Sequence, residues 1–435
     1  MDVATPHPPA DTATEKVPMD ALLIQGGRRL SGRVAISGAK NAALPVMAAT
    51  LLAKGVHTLR NVPDLLDTRT FARVLEVLGA KVTFKGDLCS IDTTGVNSVE
   101  APYELVKTMR ASIYVLGPLL ARFGGAKVSL PGGCAWGPRP VNLHLTGLAA
   151  LGASLDIEHG YIVGRDVKLH GANFTFDVVS VGATAQLMMA ASLAEGTTVL
   201  ENVAIEPDIT VLGEVLNRCG ARIEGLNSRR LVIHGVKELS PIDTTIIPDR
   251  IEAATFAAAA AMTGGSITLE RVIPEHFEAS LRKLEEAGAT VLREHDEVTV
   301  TGRGRPHACD VTTQVFPGFP TDMQAQMMAV ASIASGTSVI EDTIYLDRFS
   351  HVAELARLGA NIELKANVAV VKGVERLQGA PVMATDLRAS AALALGALVA
   401  EGETRISRIY HLDRGYEAFD QKLTQLGALV KRVQE

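Results

Sequence analysis

Tryptophan occurs once, at Trp136, and aromatic residues make up 4% of the chain. A surface that stacks many bases or sugars on rings is thereby excluded. Cysteine is scarce too: Cys89, Cys134, Cys219 and Cys309 lie far apart and form no CxxC pair. That spacing supports neither a disulfide scaffold nor a structural zinc site, and it fits a reducing, cytoplasmic setting. There is no excess of positive charge. Lys and Arg total 42 against 48 Asp and Glu, a formal net charge of −6. This argues against a nucleic-acid partner held by bulk charge, though not against local anion sites. No run reaches the ~18 apolar residues that span a bilayer, so no membrane partner is expected. The longest apolar stretches, around Ala253–Met262 and Ala391–Ala400, are too short. GxxxxGK[ST] and HExxH are missing, and neither GGRRLSG nor TGRGRP has the strand–turn–helix setting of a dinucleotide fingerprint. The 11 histidines show no metal-ligand spacing.

What is present is an ordinary globular composition, 47% hydrophobic and 21% charged, over 435 residues. A chain of that length exceeds one typical domain. Residues 1–19, with four prolines and no hydrophobic segment, read as a disordered tail and not as a signal peptide.

An internal repeat organises the remainder. One signature, a helix end, a turn and a strand, recurs as LEVLGAKVTF, GLAALGASLDI, VLNRCGARIEG, KLEEAGATVLR, LARLGANIEL and LTQLGALVKRV. Its glycines are Gly79, Gly152, Gly220, Gly288, Gly359 and Gly427, each placed for a left-handed helix cap. A second signature, an Ala/Leu-rich helix ended by glycine and followed by a β-branched strand, marks Gly55, Gly125, Gly196, Gly265, Gly336 and Gly402. Both markers give six units of about 70 residues. Units of two helices and several strands predict an α/β protein of two globular domains with three units each. The Ala-rich helices suit burial by surrounding sheets, and the interdomain seam is the expected ligand site.

The repeat also says where to look for chemistry. At the start of each apolar helix lie Lys40, Arg110, Val181 with Gly182, Arg250, Asp322 and Arg388. A cation at a helix N-terminus opposes the helix dipole, so its recurrence points to anion binding, with surface pairing to acids such as Asp249 and Asp386 as the alternative. Arg139, Arg348 and Arg414 add cations outside that phase. Such a collection suits phosphates and carboxylates. Cys134 sits in the Gly/Pro-rich loop PGGCAWGPRP near Arg139, where a thiol can act as acid or nucleophile, or be inert. Asp322 reads either as a helix cap or, facing the cations, as a general base.

The ordered stretches SGAKNAALP, VKTMRAS, LPGGCAWGPRPVNLH, SVGAT, PDRIE, FPTDMQAQ, ATDLRAS and RIYHLDRGYE resemble the UDP-N-acetylglucosamine 1-carboxyvinyltransferases, the enolpyruvyl transferases of peptidoglycan synthesis. The similarity runs from about Met19 to the C-terminus. It implies an inside-out α/β barrel of two domains with six βαβαββ-type units. One domain would be 40–247, carrying the Cys134 loop and the nucleotide-sugar contacts. The other would be 20–39 plus 248–435, with the phosphoenolpyruvate and arginine cluster. The implied reaction moves the enolpyruvyl group of phosphoenolpyruvate to the 3′-hydroxyl of UDP-N-acetylglucosamine and releases phosphate. It runs by addition to a tetrahedral ketal and then elimination, with no metal or organic cofactor.

By the same resemblance Lys40 and Asn41 meet phosphoenolpyruvate and the sugar, and Arg110, Arg348, Arg388 and Arg414, with Arg139, are active-site arginines. Cys134 is the loop proton donor and the site of a covalent phosphoenolpyruvate adduct. Asp322 handles the sugar hydroxyl. Arg139, Pro140, Val141, Asn142 and Leu143, then Val178, Val179, Ser180 and Val181, and Ile344 align with nucleotide-sugar contacts. Three positions depart from the family pattern: Asn142 replaces an acid, Val178 a lysine, and Trp136 an aliphatic residue. The rival readings are the related transferase acting on shikimate 3-phosphate, whose lysine- and serine-rich N-terminal motif is missing here, a second copy of the same transferase, and a non-catalytic nucleotide-sugar-binding protein on the same fold.

Overall fold

The computed structural model describes residues 20–107, 109–130 and 141–434. Cys134, Trp136, Arg139, Pro140 and the 1–19 tail lie outside the described residues.

The first glycine series does what its spacing predicts. Gly79, Gly152, Gly220, Gly288, Gly359 and Gly427 all have left-handed backbone, with φ between +92° and +103°. The helix stops there and a strand begins. The second series holds in four units. In the Gly-Gly units it is the earlier residue, Gly124 or Gly264, that takes the left-handed cap.

Each unit contributes two principal helices. They are α1 (Lys40–Ala49) and α2 (Leu66–Val77), α3 (Leu116–Phe123) and α4 (Asn142–Ala150), α5 (Val181–Ala191) and α6 (Pro207–Arg218), α7 (Arg250–Thr263) and α8 (Glu278–Glu286), α9 (Gln324–Ile333) and α10 (His351–Arg357), and α11 (Leu387–Val399) and α12 (Phe419–Gln425). The first helix of most pairs is buried along nearly its whole length. Every residue of α7 from Ile251 to Met262 is buried, as is every residue of α9. Alanine makes this possible, because its small side chain lets helices and sheets approach from all sides. The second helix of most pairs is amphipathic. In α8 only Ser280, Leu281 and Leu284 are buried.

Among the described residues the strands form six four-stranded sheets, five of them of one design and the sixth completed by strands from opposite ends of the described chain. A short strand runs parallel to a central strand, which pairs antiparallel with one arm of a hairpin. In the first unit these are Asp243–Thr245, Val56–Arg60, Leu88–Asp92 and Lys81–Lys85. That short strand is supplied from the end of the third unit, which closes the first three units on themselves. The opening of the described chain closes the other three: Ser31–Ala35 is the short strand beside Ser266–Glu270, and Asp20–Gln25 pairs with both Glu403–Ser407 and Leu429–Gln434.

The apolar core accordingly falls into two clusters. One runs from Ala39 to Ile246; the other joins Leu22–Ile36 to Ile251–Ala428. The chain passes between them twice, and the two passages bind each other. Ala39 N–H donates to Ile247 O at 2.7 Å, Asp249 N–H donates to Ser37 O at 2.8 Å, and Gly38 bridges Pro248. Only glycine fits at 38, since a Cβ there would lie 1.8 Å from the Asn61 carbonyl oxygen. Buried Glu252 grips the crossing: it accepts from Ser37 N–H at 3.2 Å and pairs with Lys422, whose Nζ also donates to Ser37 Oγ at 2.6 Å.

Candidate active site

The crossing delivers the candidate residues. Lys40 is the first residue of α1 and Arg250 the first of α7, immediately beyond the two passages. Arg388 is the second residue of α11, and Val181 opens α5. Arg110 and Asp322 lie slightly earlier, in 3-10 turns (Arg110–Val115 and Thr321–Met323) that lead into α3 and α9. The acids beside two of these cations do not neutralise them. Asp249 and Asp386 instead accept from backbone N–H groups of the first turns of α7 and α11, which satisfies amides that a helix start leaves open.

Two carboxylates organise the cations. Asp67, near the start of α2 and 5% exposed, accepts from Lys40 Nζ at 3.1 Å and from Arg414 Nε at 2.8 Å. Lys40 belongs to the first core and Arg414 to the 3-10 turn Ile409–Arg414 of the second, so this contact joins the two. Burial alone pushes the Asp67 carboxyl up, but the charges and hydrogen bonds of Lys40 and Arg414 outweigh it and bring it below the ordinary carboxylate range.

Asp322 is the second. It is not a helix cap: Oδ1 accepts from Arg348 Nη1 at 2.7 Å and Oδ2 from Arg388 Nη2 at 2.9 Å. Burial again opposes ionisation, and the two arginines again win, holding Asp322 well below the usual range. Arg348 is presented by a loop that buried Asp342 shapes. Asp342 accepts from Thr313 and Thr321 hydroxyls at 2.8 and 2.7 Å and from the N–H groups of Ile344 and Tyr345, both at 2.9 Å. The Arg388 guanidinium lies 5.4 Å from the Tyr416 ring centroid. Tyr416 is fixed by hydrogen bonds to Thr255 and Gln326 in the buried core.

The third group lies in the first core. Val141 precedes α4, which starts with exposed Asn142 and half-buried Leu143. Ser180 caps α5, its hydroxyl accepting from Ala183 N–H at 3.2 Å. Val178 is 66% exposed and Val179 half-buried. The two segments meet under Gly182, where a Cβ would lie 3.2 Å from His144 Nε2. Burial, with Arg110 nearby, lowers His144 to about 4, so its ring is neutral. Arg250 differs from the other helix-start cations. Its partner is Asp208 at 3.8 Å, and its guanidinium lies 5.8 Å from the Phe316 ring.

The structure thus draws Lys40 and Arg414 around Asp67, and Arg348 and Arg388 around Asp322. It places Arg110 near His144, the residue after the 142–143 segment, and Ile344 on the Arg348 loop. Asn41 is exposed on α1. Asp67 and Asp342 escaped the sequence reading, because each is a single acid outside the repeated phase. The described cysteines are poor nucleophiles: burial pushes Cys89 up to about 12 and Cys309 up to about 11.

Comparison with known proteins identifies the arrangement. Residues 24–423 match the family model of EPSP synthase (3-phosphoshikimate 1-carboxyvinyltransferase). Proteins named UDP-N-acetylglucosamine 1-carboxyvinyltransferase from Geobacter metallireducens and Geotalea uraniireducens are 56% and 54% identical, over 96% of this chain and 100% of theirs. The enolpyruvyl transferase NikO from Streptomyces tendae superposes with a TM-score of 0.86 at 26% identity, over 96% of this chain and all of that one. An EPSP synthase from Acinetobacter baumannii, 16% identical, shares the fold with a TM-score of 0.75 over 96% of this chain and all of its own. With its two cores, its repeated sheets, a family match over residues 24–423 and more than half its residues identical to near full-length relatives, the chain belongs to the enolpyruvyl transferase family.

Proposed function

We infer that the chain transfers the enolpyruvyl group of phosphoenolpyruvate to the 3′-hydroxyl of UDP-N-acetylglucosamine and releases phosphate, an early step of peptidoglycan synthesis in the cytoplasm. The observation that carries this reading is the 56% identity, over the whole of the relative, with a protein named for that activity. It favours the nucleotide sugar over shikimate 3-phosphate as acceptor.

The donor carries a phosphate and a carboxylate, and guanidinium and ammonium groups bind both. Lys40 and Arg414 form one cationic pair for them, and Arg348 and Arg388 another, with Arg110 and Arg139 contributing further charge. The nucleotide sugar lies along Val141–Leu143 and Val178–Val181, with Ile344 against it and Asn41 near the sugar. Because Asn142 and Val178 are uncharged, this chain holds the uridine end with less charge than its family pattern. The two bodies, 40–247 and 20–39 with 248–435, both contribute to each substrate at the seam, as the pairing of Lys40 with Arg414 across it illustrates; the two separate core clusters support that division.

In the addition step a proton goes to C3 of the donor, which leaves C2 electrophilic, and Cys134 is the acid in this assignment. The acceptor O–H bond breaks, its proton passes to Asp322, and its electron pair forms the bond to C2. Elimination then removes a proton from C3 and expels phosphate. Both charge changes occur beside fixed cations, where electrostatic stabilisation is strongest. Mass spectrometry of the nucleotide sugar after incubation with phosphoenolpyruvate tests the reading. An enolpyruvyl ether on the sugar is expected; an unchanged sugar contradicts it.

A further inference from the structure

Asp322 is assigned to take a proton from a weakly acidic hydroxyl, yet its two arginine partners hold it in the state least suited to that task. Each carboxylate oxygen is engaged by an arginine, Arg348 on one side and Arg388 on the other. Burial raises the proton affinity of the carboxyl, and the two guanidinium charges more than cancel the gain. Such a carboxylate is ionised, but it accepts a proton poorly. The other charged or titratable groups around it do not relieve this. Asp386 and Asp249 are spent capping α11 and α7, and Tyr416 lies behind Arg388 with its own pKa raised by burial.

The same two arginines are the ones assigned above to the anionic donor, and the inference rests on that assignment. Asp322 is the member of the clamp that solvent reaches. The Asp322 side chain is 26% exposed, far more than those of its partners Arg348 (9%) and Arg388 (4%). Arg388 Nη1 is buried and meets no hydrogen-bond acceptor within ordinary geometry among the described residues, with the Tyr416 ring 5.4 Å from the guanidinium. A phosphate or carboxylate entering the cluster offers both guanidinium groups the bidentate geometry that Asp322 now supplies.

We propose that the anionic donor competes with Asp322 for Arg348 and Arg388, so that the aspartate becomes an effective proton acceptor only when the donor is in place. The acceptor hydroxyl is then not deprotonated in a site that holds no electrophile. Asp67 stands in the same relation to Lys40 and Arg414, as a carboxylate occupying two cations that the donor needs.

The test is a carboxyl ¹³C NMR titration of the full chain labelled at aspartate, with the Asp322 signal assigned by its loss in Asp322→Asn. It is recorded without ligand, with phosphoenolpyruvate, and with inorganic phosphate plus UDP-N-acetylglucosamine, and calorimetry on the same samples reports binding. Without ligand the signal stays that of the carboxylate throughout the range in which the fold persists. With either ligand set bound, proton affinity rises tenfold or more, one unit or more of pKa. In Arg348→Gln the rise is present before ligand is added. Calorimetric binding with an unmoved Asp322 titration overturns the proposal. Absence of any binding overturns instead the donor assignment beneath it.

Discussion

Replacing Asp67 with asparagine removes one negative charge from between two cations and almost no volume. Asp67 is 5% exposed, while the Lys40 and Arg414 side chains are 12% and 28% exposed. Breaking a fully buried pair by removing one partner costs ~3–5 kcal/mol. Because both cations keep some water here, about 2 kcal/mol is the expected loss of stability. For domains of ~200 residues that corresponds to a melting temperature lower by about 4–8 °C. The sign with pH follows from the depressed carboxyl. Its contribution is complete above the ordinary aspartate value of ~3.9 and is lost as pH falls through the folded-state value, so the two melting curves converge in acid. Phosphate binding moves the opposite way. With the competing carboxylate neutralised, Lys40 and Arg414 are released to an external anion, and inorganic phosphate binds roughly tenfold tighter, about 1.4 kcal/mol. Differential scanning fluorimetry and calorimetry measure the two effects. A variant that melts and binds phosphate like the wild type would refute the reasoning, because Asp67 would then not hold these cations in solution.

Cys134→Ser lowers or abolishes turnover at neutral pH and removes sensitivity to the epoxide fosfomycin; an inhibition assay checks this, and retained sensitivity counts against the Cys134 assignment. Arg414→Ala weakens phosphoenolpyruvate handling by about 2–3 kcal/mol, as loss of a charge-assisted contact does, read from kcat/KM for the donor. Buried Asp208 is raised to about 6 by desolvation, an effect that Arg250 offsets only in part. Its ionisation therefore costs stability as pH climbs from the unfolded value of ~3.9 through about 6. Asp208→Asn lifts the melting temperature relative to wild type by an amount that grows across this window and then levels off; a constant difference at all pH values contradicts the assignment. The two bodies close on the nucleotide sugar, and small-angle scattering profiles that coincide with and without UDP-N-acetylglucosamine contradict closure.

Much of this was legible in the residues, and for identifiable reasons. Glycine at a left-handed cap leaves a local mark, so Gly79 through Gly427 gave the six units without any knowledge of tertiary structure. Helix starts follow from those marks, which is why Lys40, Arg250 and Arg388 were found where the helices begin. Pairing across the seam leaves no such mark. Asp67 and Arg414 are separated by most of the chain, and only the folded crossing brings them to 2.8 Å. Asp322 was legible as an unusual acid among cations, but whether it capped a helix or met arginines depended on Arg348, presented by a later loop of its own unit, and on Arg388 from the next unit. The Gly-Gly units show the resolution of pattern reading: either glycine satisfies the motif, and the backbone uses the first.

The central claim is tested most directly by phosphate release from phosphoenolpyruvate with UDP-N-acetylglucosamine as acceptor and shikimate 3-phosphate as the control. Release with the nucleotide sugar alone is the predicted result. Release only with shikimate 3-phosphate would keep the fold and overturn the acceptor. Binding of the nucleotide sugar with no release from either acceptor would contradict the assignment of catalysis.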